Sequence, residues 1–257
     1  MSVSTDDFVS AVEAIAPPEL AESWDNTGLL LRCGDTVSKA LIALDVTDDT
    51  ADEAIEDGCD IILAHHPLIF EPVRSFDCRI PNHNVAMRLI RAGISLYAAH
   101  TSYDAAKGGI NDALAEKIDL TDITSQGLFR VGNMEKPCEK DEFLSLVKNA
   151  LCAESLSVST GRCGRISRVA VAGGGGGCFV KDAQKAGAQA LLTGEAKHSH
   201  FIEASSLGIL LVAAGHYHTE RLFADSIFIG LQSRLNEVKL DLALKKSKRC
   251  KAPYKFR

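Results

Sequence analysis

The residues of this chain that could do chemistry gather in four short segments. In Ala64-His65-His66-Pro67 two adjacent imidazoles leave the end of an apolar run. Successive side chains at a strand end point to opposite sides, so His65 and His66 can approach two different ions. For an isolated His-His pair, one ring in the core and the other in water is the competing arrangement. The segment from His100 to Asp104 adds an imidazole and a carboxylate. Asp104 can supply the hard oxygen that pairs with imidazole around a divalent ion, or simply cap a turn. His100 can ligate, orient a ligand or move a proton. In Gly215-His216-Tyr217-His218-Thr219-Glu220, His216 and Glu220 stand four apart. On a helix they share one face and can bind one ion or two neighbouring ones, or form an ordinary surface pair. The fourth segment, Thr193-Gly194-Glu195 through His198 and His200, offers flanking or substrate-facing groups, or merely solvated ones.

Periodic segments that alternate between helix and strand must position these groups. Asp6 to Ala16 reads as a helix stopped by Pro17-Pro18. Strands follow at Ala40 to Leu44, Ile61 to Ala64 and Ile94 to Ala99, with helices at Asp48 to Asp57 and Asn84 to Ala92. That order favours neighbouring parallel strands whose carboxyl ends share one edge, where Asp45, His65 and His100 fall. Thr121 to Glu139 carries Gly127, Gly132 and Pro137 without a sustained apolar period, as a connecting stretch would. A boundary there divides the chain into 1–124 and 125–257. The second part repeats the alternation, with helices at Glu142 to Leu151, Phe179 to Ala186 and Phe201 to Ser206, and another from about Tyr217. Its strands are Val169 to Ala172, Ala190 to Leu192 and Ile209 to Val212. The fold class expected is α/β. The basic run Lys245 to Lys251 reads as a solvated tail, with phosphate binding as the lesser reading.

The run Gly173 to Gly177 lies between a strand and a helix, with Glu195 about where a ribose-binding acid of a dinucleotide fold would stand. Cys178 occupies the third glycine position, and no Gly-Lys-Ser/Thr follows, which excludes a P-loop. A close turn is the simpler reading, with anion binding at the helix start the lesser one.

Composition narrows the classes. A chain of 257 residues that is 46% hydrophobic and 24% charged can bury one large or two smaller cores. A net charge of −6 gives no general attraction to phosphate backbones, so a nucleic-acid partner is not expected. No apolar run approaches the roughly 20 residues needed to span a bilayer, and the start lacks a signal pattern, so the expected setting is the cytoplasm. The eight cysteines form no Cys-x-x-Cys pair, which argues against a zinc ribbon and for free thiols, with Cys59 as a small core residue.

In order along nearly the whole chain, Trp24-Asp25-Asn26-Thr27-Gly28-Leu29, His65-His66-Pro67, His100 to Asp104, Gly173 to Gly177, Thr193-Gly194-Glu195 and Gly215-His216 to Glu220 resemble the Nif-three-like family, also called GTP cyclohydrolase 1 type 2 homologues. The chain is similar to the short form, because Ala105 and Arg168 are too close in sequence to hold the insert domain of some members. The resemblance implies that His65, His66, Asp104, His216 and Glu220 match the ligands of two divalent ions. It further implies that these ions lie between two similar, interlinked α/β halves with mixed sheets flanked by helices, and that the chain forms a ring-shaped homohexamer, a trimer of dimers. Zinc, iron, manganese, cobalt and nickel all suit such ligands. Paired ions would activate a water and hold an oxygen-rich small molecule, for instance a nucleotide, for hydrolysis of a ring C–N bond or a phosphoester. His100 and Glu195 are the candidates to move protons. A metal-handling or partner-binding regulatory protein without catalysis is the alternative.

Overall fold

The computed structural model describes residues 2–161 and 164–255, so Cys163 lies outside the described residues. The chain opens with β1 (Val3–Ser4), α1 (Thr5–Glu13), β2 (Gly28–Leu31), β3 (Thr36–Val37), β4 (Lys39–Ala43) and α2 (Asp48–Glu56). β5 (Ile61–Ala64), α3 (Pro81–Ala92), β6 (Ser95–Ala98) and α4 (Thr101–Ala105) follow. Then come α5 (Ile110–Lys117), β7 (Leu120–Ser125), β8 (Arg130–Cys138), α6 (Lys140–Leu151), β9 (Ser157–Val158) and β10 (Ile166–Ala172). The remaining elements are α7 (Val180–Lys185), β11 (Ala190–Thr193), α8 (His198–Leu207), β12 (Leu210–Ala213), α9 (His216–Glu220), α10 (Phe223–Glu237) and β13 (Ala243–Lys246). Two compact units result: Met1–Gly109 with Phe223–Lys251, and Ile110–Leu222 with Ala252–Arg257.

The first unit holds a mixed five-stranded sheet in the order β13-β4-β5-β6-β2, with β2 antiparallel at one edge and the rest parallel. Strands β4 and β5 are buried along nearly their whole length, hence continuous apolar runs rather than alternation. On one face Leu41, Ile62 and Leu96 pack with Ala51 and Ala54 of α2 and Val85 and Leu89 of α3. Helix α2 starts at a reciprocal cap, where the Thr47 hydroxyl accepts from the Thr50 N–H and the Thr50 hydroxyl accepts from the Thr47 N–H. Cys59 is buried in this core, and burial followed by the negative charge of Asp57 pushes its thiol up to about 11.

The second unit holds a six-stranded sheet, β7-β8-β10-β11-β12-β9, whose centre, β10-β11-β12, is parallel. Val169 and Val171 face one apolar cluster and Ala170 and Ala172 the other, so this strand too is buried on both sides. Both sheets are therefore mixed and flanked by helices.

Two expectations change. Thr121 to Glu139 is no connector, because Leu120–Ser125 and Arg130–Cys138 form an antiparallel hairpin around Gly127, whose φ is +76°. Its first strand is largely exposed and broken by an irregularity between Thr121 and Thr124, which erases the alternation that would mark it. Strands β7 and β8 accordingly lie in the second sheet, and the division between units falls at Gly109 rather than at 124.

The basic run is likewise not a solvated tail. Lys245 and Lys246 belong to β13, which pairs in parallel with β4. Lys245 pairs with Asp57, and Arg249 with Glu56. The buried Glu53 carboxylate accepts from the Ser247 hydroxyl at 2.6 Å and from the N–H groups of Lys248 and Arg249. An acidic helix face and a basic strand exit thus complete each other. Burial opposes ionisation of Glu53, but the Ser247 and backbone hydrogen bonds outweigh it and hold the carboxyl below its ordinary 4.5. A depressed folded value means stabilisation that is fully present above pH 4.5 and is lost as pH falls through that lower value. Glu53→Gln is expected to cost about 1–3 kcal/mol in urea unfolding at neutral pH. The gap from the parent protein should narrow as the titration is carried below pH 4.5.

Candidate metal centre

In the first unit the register aligns Ala43 with Ala64 and Ala64 with Ala98, so three parallel strands stop in line. The residues that follow, Asp45, His65-His66 and His100, emerge side by side. His65 is fully buried, His66 and His100 only partly. One ring nitrogen from each of the three lies within 4.8 Å of the others. Asp104, on α4, places its Oδ1 3.7 Å from His65 Nε2.

The partners of these rings decide what they present. His65 Nδ1 is 2.8 Å from the Ala99 carbonyl oxygen, His66 Nδ1 2.8 Å from Asp45 Oδ1, and His100 Nδ1 2.8 Å from Asp25 Oδ1. A carbonyl and a carboxylate can only accept, so each Nδ1 carries a proton, and in a neutral ring Nε2 is then the electron-pair donor. Imidazoles held in this tautomer by an acceptor on the far nitrogen suit metal ligation. The three rings therefore fit a divalent ion by spacing and donor type, with the Asp104 carboxylate beside His65.

Asp25 had no assigned role in the sequence, where it appears only as a carboxylate within the Trp24-to-Leu29 run. Its buried side chain accepts from His100 Nδ1, from the Thr101 N–H at 3.0 Å and from the Thr101 hydroxyl at 2.6 Å. Burial raises its pKa, but the hydrogen bonds from His100 and Thr101 win and hold it at about 2. Asp45 was legible as an edge residue, whereas its hold on His66 was not.

The second unit repeats the device. Ala172, Thr193 and Ala213 are in register, and Gly173, Glu195 and His216 lie just beyond them. His216 Nε2 is 2.8 Å from Glu220 Oε2, and its Nδ1 is 3.3 Å from Glu195 Oε2. Glu220 is buried and Glu195 mostly exposed. The glycine run is a close turn shaped around the carboxylate. Gly174 has φ +55°, and a Cβ there would lie 2.2 Å from Glu220 Oε1 and 3.0 Å from His216 Nε2. The Glu220 carboxylate lies against the turn at Gly173 and Gly174, which disfavours the anion-binding reading. Glu195, Lys197, His200, Phe201, Ser155 and Tyr254 line a cavity of about 560 Å³ in this unit. His200 Nδ1 accepts from the Lys197 N–H, while His198 begins α8 and does not line that cavity. His218 is buried on α9.

Residues 3–253 match the family described as Duf34/NIF3 (NGG1p interacting factor 3). The chain belongs to the Duf34/NIF3 family. A Clostridium perfringens relative named GTP cyclohydrolase 1 type 2 homolog is 31% identical, the match covering 97% of this chain and 98% of the relative. The Saccharomyces cerevisiae protein named NGG1-interacting factor 3 is 30% identical over 88% of this chain and 89% of its own. A crystal structure of a Staphylococcus aureus hypothetical protein superposes with a TM-score of 0.93 at 26% identity, covering 99% of both chains. A Bacillus cereus protein related to NIF3, at 22% identity and a TM-score of 0.92 over 99% of both chains, shares the fold.

Gly174→Ala places a side chain against Glu220 in a left-handed conformation and is expected to cost about 1–3 kcal/mol or more in denaturant unfolding. Gly175, where a Cβ meets nothing within 4 Å, is the control. Gly175→Ala should stay within about 0.5 kcal/mol of the parent protein.

Proposed function

We propose that this Duf34/NIF3 member is a metal-dependent hydrolase of a nucleotide or similar small molecule. In this reading His65, His66, Asp104, His216 and Glu220 hold two divalent ions. The observation that carries it is the arrangement of the first unit, where His65 and His66, their Nδ1 atoms bound to acceptors, bring one ring nitrogen each within 4.8 Å of each other and of one on His100. The ions would supply Lewis-acid activation of water and of substrate oxygen. His100 holds or moves a proton at Nε2, and the ionised Asp25 on its Nδ1 stabilises the imidazolium that results. Glu195 orients His216 through Nδ1 and, at the rim of the 560 Å³ cavity, can take up a proton from a bound molecule. Zinc, iron, manganese, cobalt and nickel all suit these donors. The reading includes a homohexamer, a trimer of dimers, in the cytoplasm. Among the described residues, no helix is long and apolar enough to cross a membrane.

A second reading, a regulatory protein that binds metal and a protein partner without catalysis, is favoured by the yeast relative's name as an interacting factor. Elemental analysis of gently purified protein separates the two when joined to turnover assays on GTP and a panel of nucleotides and phosphoesters. Two ions per chain are expected, lost in His66→Ala and Glu220→Ala, together with product release that those variants abolish. Full metal content without turnover on any compound of the panel would favour the partner-binding reading. Parent protein without metal would remove both.

A further inference from the structure

Trp24 and Phe70 are exposed aromatic residues, with 57% and 46% of their surfaces open to solvent. A single exposed apolar side chain is ordinary. These two are not independent, because their ring centroids lie 6.0 Å apart, and both stand edge-on to His100, at 6.3 and 6.4 Å. His100 in turn lies 5.3 Å from His65 and 5.6 Å from His66, ring centre to ring centre.

The pair is also held rather than loosely displayed. Asn26 Nδ2 donates to the carbonyl of Ile69 at 2.5 Å, tying the side chain two residues after Trp24 to the backbone of the residue before Phe70. Asp25 is pinned to His100 and Thr101, and the Thr27 hydroxyl donates to the Ala98 carbonyl at 2.7 Å. A folded chain that fixes two large rings in water beside a histidine cluster offers a preformed apolar surface with little ordering left to do on binding.

We propose that Trp24 and Phe70, their planes tilted by 49°, form a stacking platform in which a planar aromatic heterocycle, the nucleobase-like part of the substrate, lies on the face of one ring and meets the other beside the histidine cluster. The proposal rests on the reading of that cluster as the reacting centre and names the substrate class it takes. Aromatic side chains bind such rings through their faces with little dependence on the base. Polar substituents on the ring would be sorted by His100.

Trp24 is the only tryptophan of the chain, which also has four tyrosines, so fluorescence excited selectively at tryptophan reports on this platform. Full-length protein, both as purified and after chelation, is titrated with guanosine and adenosine, which carry a ring and no phosphate, and with ribose 5-phosphate, which carries the reverse. Saturable quenching by the nucleosides and none by ribose 5-phosphate is expected. Phe70→Ala should weaken it by about tenfold or more, the loss that removing one stacked ring carries. Phe76→Ala, at another exposed phenylalanine, should leave it unchanged. The proposal is overturned by absence of saturable quenching, by equal quenching in Phe70→Ala, or by a Trp24 emission that shifts with protein concentration, the sign of rings covered by a second copy. Neither metal nor turnover enters the readout, so a failed hydrolase reading and a failed stacking platform are told apart.

Discussion

The register of parallel strands is the constraint on which everything else in this protein rests. Ala43, Ala64 and Ala98 are paired across three strands of the first unit, and Ala172, Thr193 and Ala213 across three of the second. A strand slipped by one residue would turn every side chain to the other face of the sheet. His65 would then exchange places with His66, and the buried ring would meet solvent. Burial on both faces makes such a slip costly through packing, because Leu41, Ile62 and Leu96 would leave the places they fill against α2 and α3 to side chains of other size and shape.

Hydrogen-bond acceptors behind the imidazoles are the second layer of control. Ala99, Asp45 and Asp25 hold the Nδ1 atoms of His65, His66 and His100, and Glu195 lies beside that of His216. The backbone carbonyl stabilises a neutral ring, whereas the carboxylates also stabilise a charged one. His100, backed by a carboxylate kept ionised by its own hydrogen bonds, is thus electrostatically unlike His65, although both stand at the ends of neighbouring parallel strands.

The small residues serve the same end by subtraction. Gly174 leaves the volume that Glu220 Oε1 needs, in a left-handed backbone conformation that side chains rarely adopt. Elsewhere, opposite charges close the first sheet, where Glu53 gathers the Ser247 hydroxyl and two backbone N–H groups at the exit of β13. Neither feature offers an apolar period, the strongest local signal a sequence carries.

Continuous apolar runs at Ile61 to Ala64, Ile94 to Ala99, Val169 to Ala172 and Ile209 to Val212 made the parallel strands legible from sequence, and the groups just after them put His65, His66, His100, Asp104, His216 and Glu220 forward as candidates. That reading works because a strand buried on both faces has a local composition no loop shares, and its end is where side chains become available. Tertiary structure decided the remainder. The hairpin at Leu120–Cys138 was hidden by its exposed face, and β13 by a charge run whose partners on α2 lie nearly two hundred residues earlier. Asp25 becomes a partner of His100 only through a contact spanning 75 positions, and the purpose of Gly174 depends on Glu220, which reaches it only in the folded chain. Hydrogen bonds and close contacts between residues far apart in sequence leave no periodic trace, so only the folded chain assigns them.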